Sequence, residues 1–180
     1  MGGAIAAILA VEDRTLPALV LLAPYLGMPW YIRVASACAG LWSDRVGPIA
    51  STSPHSVRNP VERERNLAYS AVTGRALREL ARVMRQARQS LPRIVAPTLL
   101  VQSREDNRIR ARVAERAFVA LGCAEKRLVF IEEGGHILTV DYGRERVFAE
   151  VCAWLGGGPG TASPKPDTSG STIPARSSND

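Results

Sequence analysis

Apolar and polar positions change their period several times along this chain, and each change marks an element. Leu16 to Pro24, Ala96 to Gln102 and Arg127 to Ile131 are short, almost unbroken apolar runs. Runs of that length fit strands of a parallel sheet that is covered on both faces. Elsewhere the period is helical. From Gly74 to Leu91, residues Leu77, Leu80, Met84, Ala87 and Leu91 recur at three- and four-residue steps, with Arg75, Arg78, Arg82 and Arg85 on the other side. A second helix is predicted from Ala111 to Leu121, with Val113, Ala114, Ala117, Phe118 and Leu121 apolar and Gly122 as its stop. A third, from about Tyr142 to Leu155, turns Val147, Phe148, Val151, Trp154 and Leu155 inward. Met1 to Ala10 reads as a buried helix whose glycines and alanines suit close packing on a sheet.

Strand and helix alternating at this spacing predict an α/β domain with a largely parallel sheet over residues 1–155. The stretch from Gly27 to Gly74 breaks the pattern. It offers a short helix over Tyr31 to Leu41 and a polar Pro/Ser segment from Ser51 to Pro60, read as part of a helical cap inserted at about 25–90. From Gly156 the composition turns to Gly, Pro, Ser and Thr, and residues 156–180 are predicted to be a disordered tail.

The chemistry concentrates where two of the strands end. Leu-Val-Phe-Ile runs into Glu-Glu-Gly-Gly-His, which delivers His136 to the rim of the sheet, with Gly134 and Gly135 allowing a sharp turn and space around the imidazole. Asp106 follows the preceding strand. Active groups of open α/β sheets gather at such carboxyl ends. A buried carboxylate that accepts from one imidazole nitrogen fixes the tautomer and steadies the imidazolium, leaving the other nitrogen to move a proton near neutral pH. Taken singly, Asp106 is equally a turn or helix-capping residue, and His136 a hydrogen-bonded histidine beside a glycine turn. Glu105 is a rival for the acid role. His55, in the polar cap segment, reads as a surface residue.

These residues carry a resemblance. Leu-Leu-Val-Gln-Ser-Arg-Glu-Asp-Asn-Arg-Ile followed by Gly-Gly-His-Ile-Leu-Thr-Val-Asp is similar to the carboxyl-terminal part of α/β-hydrolases, in the carboxylesterase and monoacylglycerol-lipase-like branch that includes S33-type serine aminopeptidases. Asn66 to Tyr69 and the helix from Gly74 resemble the end of that branch's cap. The resemblance implies a partial α/β-hydrolase sheet with a helical cap, Asp106 as triad acid and His136 as triad base. Met1-Gly2-Gly3-Ala4 resembles the residues after the nucleophile of a G-x-S-x-G elbow, which would make the Met1 N–H an oxyanion donor and would place the serine before Met1. No G-x-S-x-G occurs in the 180 residues, and Ser36, Ser43, Ser51, Ser53, Ser56 and Ser70 lie on no predicted strand-to-helix elbow. The expectation is a serine hydrolase lineage acting on small or acyl-lipid carboxylic esters, truncated and inactive as given. Met28, Trp30, Tyr31 and Trp42 of the cap are candidates to line an acyl pocket, against the alternative of ordinary cap packing. No metal or organic cofactor is implied.

Composition narrows the rivals. Hydrophobic residues make up 46% and charged residues 22%, an ordinary globular balance. Cys38, Cys123 and Cys152 have neither disulfide-framework nor zinc spacing, which favours a reducing cytoplasm. The net charge of +6 comes almost wholly from arginines spread over many elements without interleaved aromatics, so a nucleic-acid-binding module is disfavoured. No run is long enough for a stable membrane insertion. A non-catalytic binding protein of the same fold is the remaining alternative, and the oligomeric state is left open.

Overall fold

The computed structural model describes residues 1–39, 46–50, 56–65 and 71–157. Trp42, His55, Asn66 to Tyr69 and, of the tail predicted from Gly156, residues 158–180 lie outside them, while Gly156 itself ends the last helix. The elements are α1 (Gly2–Glu12), β1 (Leu19–Leu22), α2 (Trp30–Ala37), β2 (Ile49–Ala50), α3 (Pro60–Arg65), β3 (Ala71–Val72), α4 (Gly74–Ser90), β4 (Thr98–Ser103), α5 (Ala111–Ala120), β5 (Lys126–Ile131) and α6 (Arg144–Gly156). A single 3₁₀ turn, Leu91–Arg93, closes α4.

The three apolar runs form one parallel sheet in the order β1-β4-β5, with Leu100 opposite Leu21 on one side and Leu128 on the other. All six residues of the central strand β4 are buried, which is why its sequence shows no polar alternation. Its side chains feed two cores. Leu100 joins Leu19, Leu21, Ala4, Ala7, Ala87, Ile94, Ala114 and Ala117, so α1, α4 and α5 cover one face. Leu99 and Val101 join Val129, Ile131, Leu138 and Val147, so α6 covers the other. Each fully buried Leu or Val of this kind stabilises the fold by about 1.5–3 kcal/mol.

Several details differ from the reading of the sequence. Helix α1 is buried along one stripe, Ala4, Ala7 and Ala10, while Ile5 and Leu9 face outward. Small residues let this helix lie close to the sheet, and the larger ones cannot fit there. In α4 the third-step residue facing the core is Ala81, with Leu80 at the border. Its last turns, through Ala87, and Leu91 just after it lie in the main core, so the cap range of 25–90 reaches into a helix of the sheet layer. In α6, Val147, Val151 and Trp154 share the inner face, whereas Phe148 and Leu155 are exposed. Gly122 does not stop α5 by a left-handed turn. The helix ends at Leu121 in extended backbone, and a Cβ on Gly122 would lie 2.0 Å from the Pro92 carbonyl. The irregular stretch also contains a small antiparallel pair, β2 with β3, which the sequence pattern did not announce.

Candidate active site

In a parallel sheet all carboxyl ends lie along one edge, so the turns after β1, β4 and β5 meet there. Chain direction alone therefore brings Ala23 to Tyr25, Asp106 and His136 into one neighbourhood. The amino-terminal turn of α1 belongs to the same edge, since a Cβ on Gly3 would stand 3.1 Å from Pro24. Ala23, at φ 40°, is the one non-glycine residue with positive φ among the described residues, and it turns the chain off β1.

Asp106 sits four residues into the turn from Gln102 and is 7% exposed. Its Oδ1 accepts the backbone N–H groups of Arg108 at 2.7 Å and Ile109 at 2.9 Å. Its Oδ2 accepts from the Gln102 amide at 2.7 Å and bonds the His136 ring at Nδ1, 2.8 Å away. Burial pushes the Asp106 pKa up. The hydrogen bond and charge of His136, with the Ile109 and Arg108 N–H groups, outweigh burial and hold it below the usual carboxylate value. An ionised carboxylate can only accept, so Nδ1 carries a proton, and in the neutral ring the lone pair is left on Nε2. No hydrogen bond reaches Nε2 among the described residues. The His136 side chain is 22% exposed, which leaves that nitrogen accessible.

Glu105 points elsewhere. Its carboxylate is paired with the Arg58 guanidinium, and both side chains are partly exposed. Trp30 and Tyr31 form an edge-to-face pair, with ring centroids 6.1 Å apart, at the start of α2. Trp30 is 71% exposed and Met28 half-buried. An open recess of about 550 Å³ near the histidine loop is lined instead by Arg58, Arg63, Glu105, Glu133, Gly134 and Tyr142.

Three residues of this region carried no signal that sequence reasoning used. Gln102 is fully buried and directs its amide at the acid. Tyr25 is half-buried and close enough to feel the charges of Arg108 and Asp106. Burial raises its pKa, Arg108 pulls it down, and Tyr31 and Asp106 add to the rise. Asp141, two per cent exposed, fastens the histidine loop. The two glycines also divide their labour differently from the expectation. Gly134 supplies the turn at φ 84°. Gly135 leaves room for the Ser56 carbonyl, which would be 2.6 Å from its Cβ, rather than for the imidazole. Ser103, at the end of β4, donates to the Gly134 carbonyl at 2.7 Å and ties the two turns together.

A parallel sheet with helices on both faces and an acid–histidine pair on its carboxyl edge defines an α/β-hydrolase fold. The sequence model of the S33 serine aminopeptidases matches residues 1–142, and the chain belongs to that family. It is 35% identical over 86 residues to a thermostable monoacylglycerol lipase of Bacillus sp. (strain H-257), covering 48% of this chain and 34% of the lipase. It is 30% identical over 79 residues to a carboxylesterase of Bacillus subtilis (strain 168), covering 44% of this chain and 32% of the esterase. These matches thus span about a third of each relative's length. In shape the chain is similar to a metagenome-derived lipolytic enzyme, with a TM-score of 0.75 at 23% identity over 87% of this chain and 62% of the other. Among the described residues, no helix is long and apolar enough to cross a membrane.

Proposed function

We propose that these residues are the base-and-acid half of a serine hydrolase acting on carboxylic esters, either small esters or acyl-lipid esters such as monoacylglycerols. The observation that carries this reading is the 2.8 Å bond between His136 Nδ1 and the buried Asp106 carboxylate. In this mechanism His136 Nε2 takes the proton of an attacking serine hydroxyl and returns it to the leaving alcohol. Asp106 holds the ring in the tautomer that makes this possible and stabilises the imidazolium as it forms. The oxyanion would be bound at the amino-terminal turn of α1 on the same edge, with Met1 as the donor once its nitrogen is a peptide N–H in a joined chain. The names of the two bacillary relatives support the ester class. We assign the acyl side of the site to Met28, Trp30 and Tyr31 and, from the sequence alone, to Trp42.

The 180 residues contain no G-x-S-x-G elbow, and the acid–histidine pair has no acyl-enzyme route without an activated hydroxyl. The 180-residue chain should therefore show negligible turnover of p-nitrophenyl esters. Fusion of an amino-terminal hydrolase segment that ends at the serine of a G-x-S-x-G elbow to this chain should create an active hydrolase. Loss of that activity on His136→Ala supports the proposal. A folded chimera that hydrolyses esters equally well without His136 would overturn it.

A further inference from the structure

Asp141 is the second buried carboxylate at this edge, and no step of the reaction uses it. Its Oδ2 accepts the Gly135 N–H at 2.6 Å and the Arg58 N–H at 2.7 Å. Its Oδ1 accepts the Asn59 N–H at 2.8 Å and the Tyr142 N–H at 2.9 Å. A residue that merely shaped its own turn would bond neighbours along the chain. Here one partner is adjacent, one is six residues back in the histidine loop, and two lie 82 and 83 residues away.

The segment Ser56 to Asn59 is thereby clasped between the two turns that carry the acid and the base. On the histidine side, the Ile137 N–H donates to the Ser56 carbonyl at 3.1 Å, and Gly135 is flush against that carbonyl. On the acid side, Arg108 Nε donates to Ser56 Oγ at 2.9 Å, and Arg58 pairs with Glu105. Arg108 also presents its N–H to Asp106. The segment touches both turns, and Asp141 is the atom group on which its backbone and that of the histidine loop converge.

We propose that Asp141 is a positioning residue, whose carboxylate locks the histidine loop and the Arg58–Asn59 segment to one anchor so that the bearing of His136 on Asp106 depends on the seating of that segment. This rests on the reading of His136 as the base. Burial opposes ionisation of Asp141, and the four N–H groups more than offset it, so its pKa falls below the ordinary carboxylate value. Asparagine keeps the shape but replaces one acceptor by an NH₂ group facing N–H donors, and it cannot hold all four.

The test uses the 180-residue chain and nuclear magnetic resonance, with the two histidines told apart by His55→Gln. In the unmodified chain the ring N–H of His136, bonded to a carboxylate, should give a resolved downfield signal. Asp141→Asn should abolish that signal and speed amide exchange at Gly135, Arg58 and Asn59 by at least about 10-fold, while the amides of Leu99 to Val101 keep their protection. A folded Asp141→Asn chain with the ring signal and those amides unchanged overturns the proposal. Should the variant fail to fold, the unmodified chain decides. Slow exchange at one common rate for Gly135, Arg58, Asn59 and Tyr142 supports the shared anchor, and free exchange at Gly135 sinks it. Absence of the ring signal from the unmodified chain would instead count against the acid–base pair, while the amide rates still judge Asp141.

Discussion

The turns after β4 and β5 each bury one aspartate, and each aspartate uses both oxygens to hold four hydrogen bonds. Asp106 accepts two backbone N–H groups of its own turn and spends its remaining capacity on two side chains, Gln102 and His136. Asp141 accepts backbone alone, from three separate places in the chain. The same functional group, buried and saturated in both places, thus serves two ends. Where a titratable ring is among its partners, a carboxylate sets the protonation of that ring. Where every partner is backbone, it sets the path of the chain.

The largest effect expected from this contrast falls on turnover. In an active chimera carrying this chain, Asp106→Asn should lower kcat by about 10⁴-fold, since the ring would be held in the wrong tautomer. Near-normal kcat in that variant would return the acid role to Glu105. Asp141→Ala should act on stability first, because it leaves buried N–H groups without acceptors. A loss of at least about 3 kcal/mol is expected in urea denaturation, and a loss below about 1 kcal/mol would mean that water replaces the carboxylate without cost.

Acid should separate the two further. Both pKa values are depressed in the folded chain, so both aspartates contribute stability above the unfolded value of about 3.9 and lose it as pH falls through their folded values. Denaturation midpoints measured between pH 6 and pH 2 should therefore fall steeply below about pH 4, and less steeply in Asp141→Asn. An identical acid slope in that variant would remove Asp141 from the linkage. Gly135→Ala comes next, at about 1–3 kcal/mol, because its Cβ would meet the Ser56 carbonyl at 2.6 Å. The smallest effect has the opposite sign. Gly2→Ala meets nothing within 4 Å in the first turn of α1 and should raise stability by up to about 1 kcal/mol.

The same contrast explains how much could be read from the sequence. The strands and the contact between Asp106 and His136 were legible because a doubly covered strand must be apolar throughout, and because an aspartate and a histidine after adjacent parallel strands fall at one edge of the sheet. Asp141 lay inside the quoted Gly-Gly-His-Ile-Leu-Thr-Val-Asp motif, yet its role was not visible. Its partners are main-chain N–H groups, which every residue but proline carries, so Arg58 and Asn59 left no mark. Gly135 illustrates the same limit: a glycine announces that space is needed, and the fold alone reveals that the occupant is Ser56. In α6 the helical period placed Phe148 and Leu155 inward with Val147. The inner face is narrower than the apolar stripe, and a single helix on a three-stranded sheet cannot bury all of it.

The crowding around the Asp106 carboxylate has a consequence for chemical reagents. Two of its contacts come from its own turn and one from a glutamine locked in the core, so it cannot swing aside to admit a competitor. The rear of the imidazole is therefore sealed. An alkylating or acylating compound directed at this chain has one reachable target on that ring, the outward nitrogen.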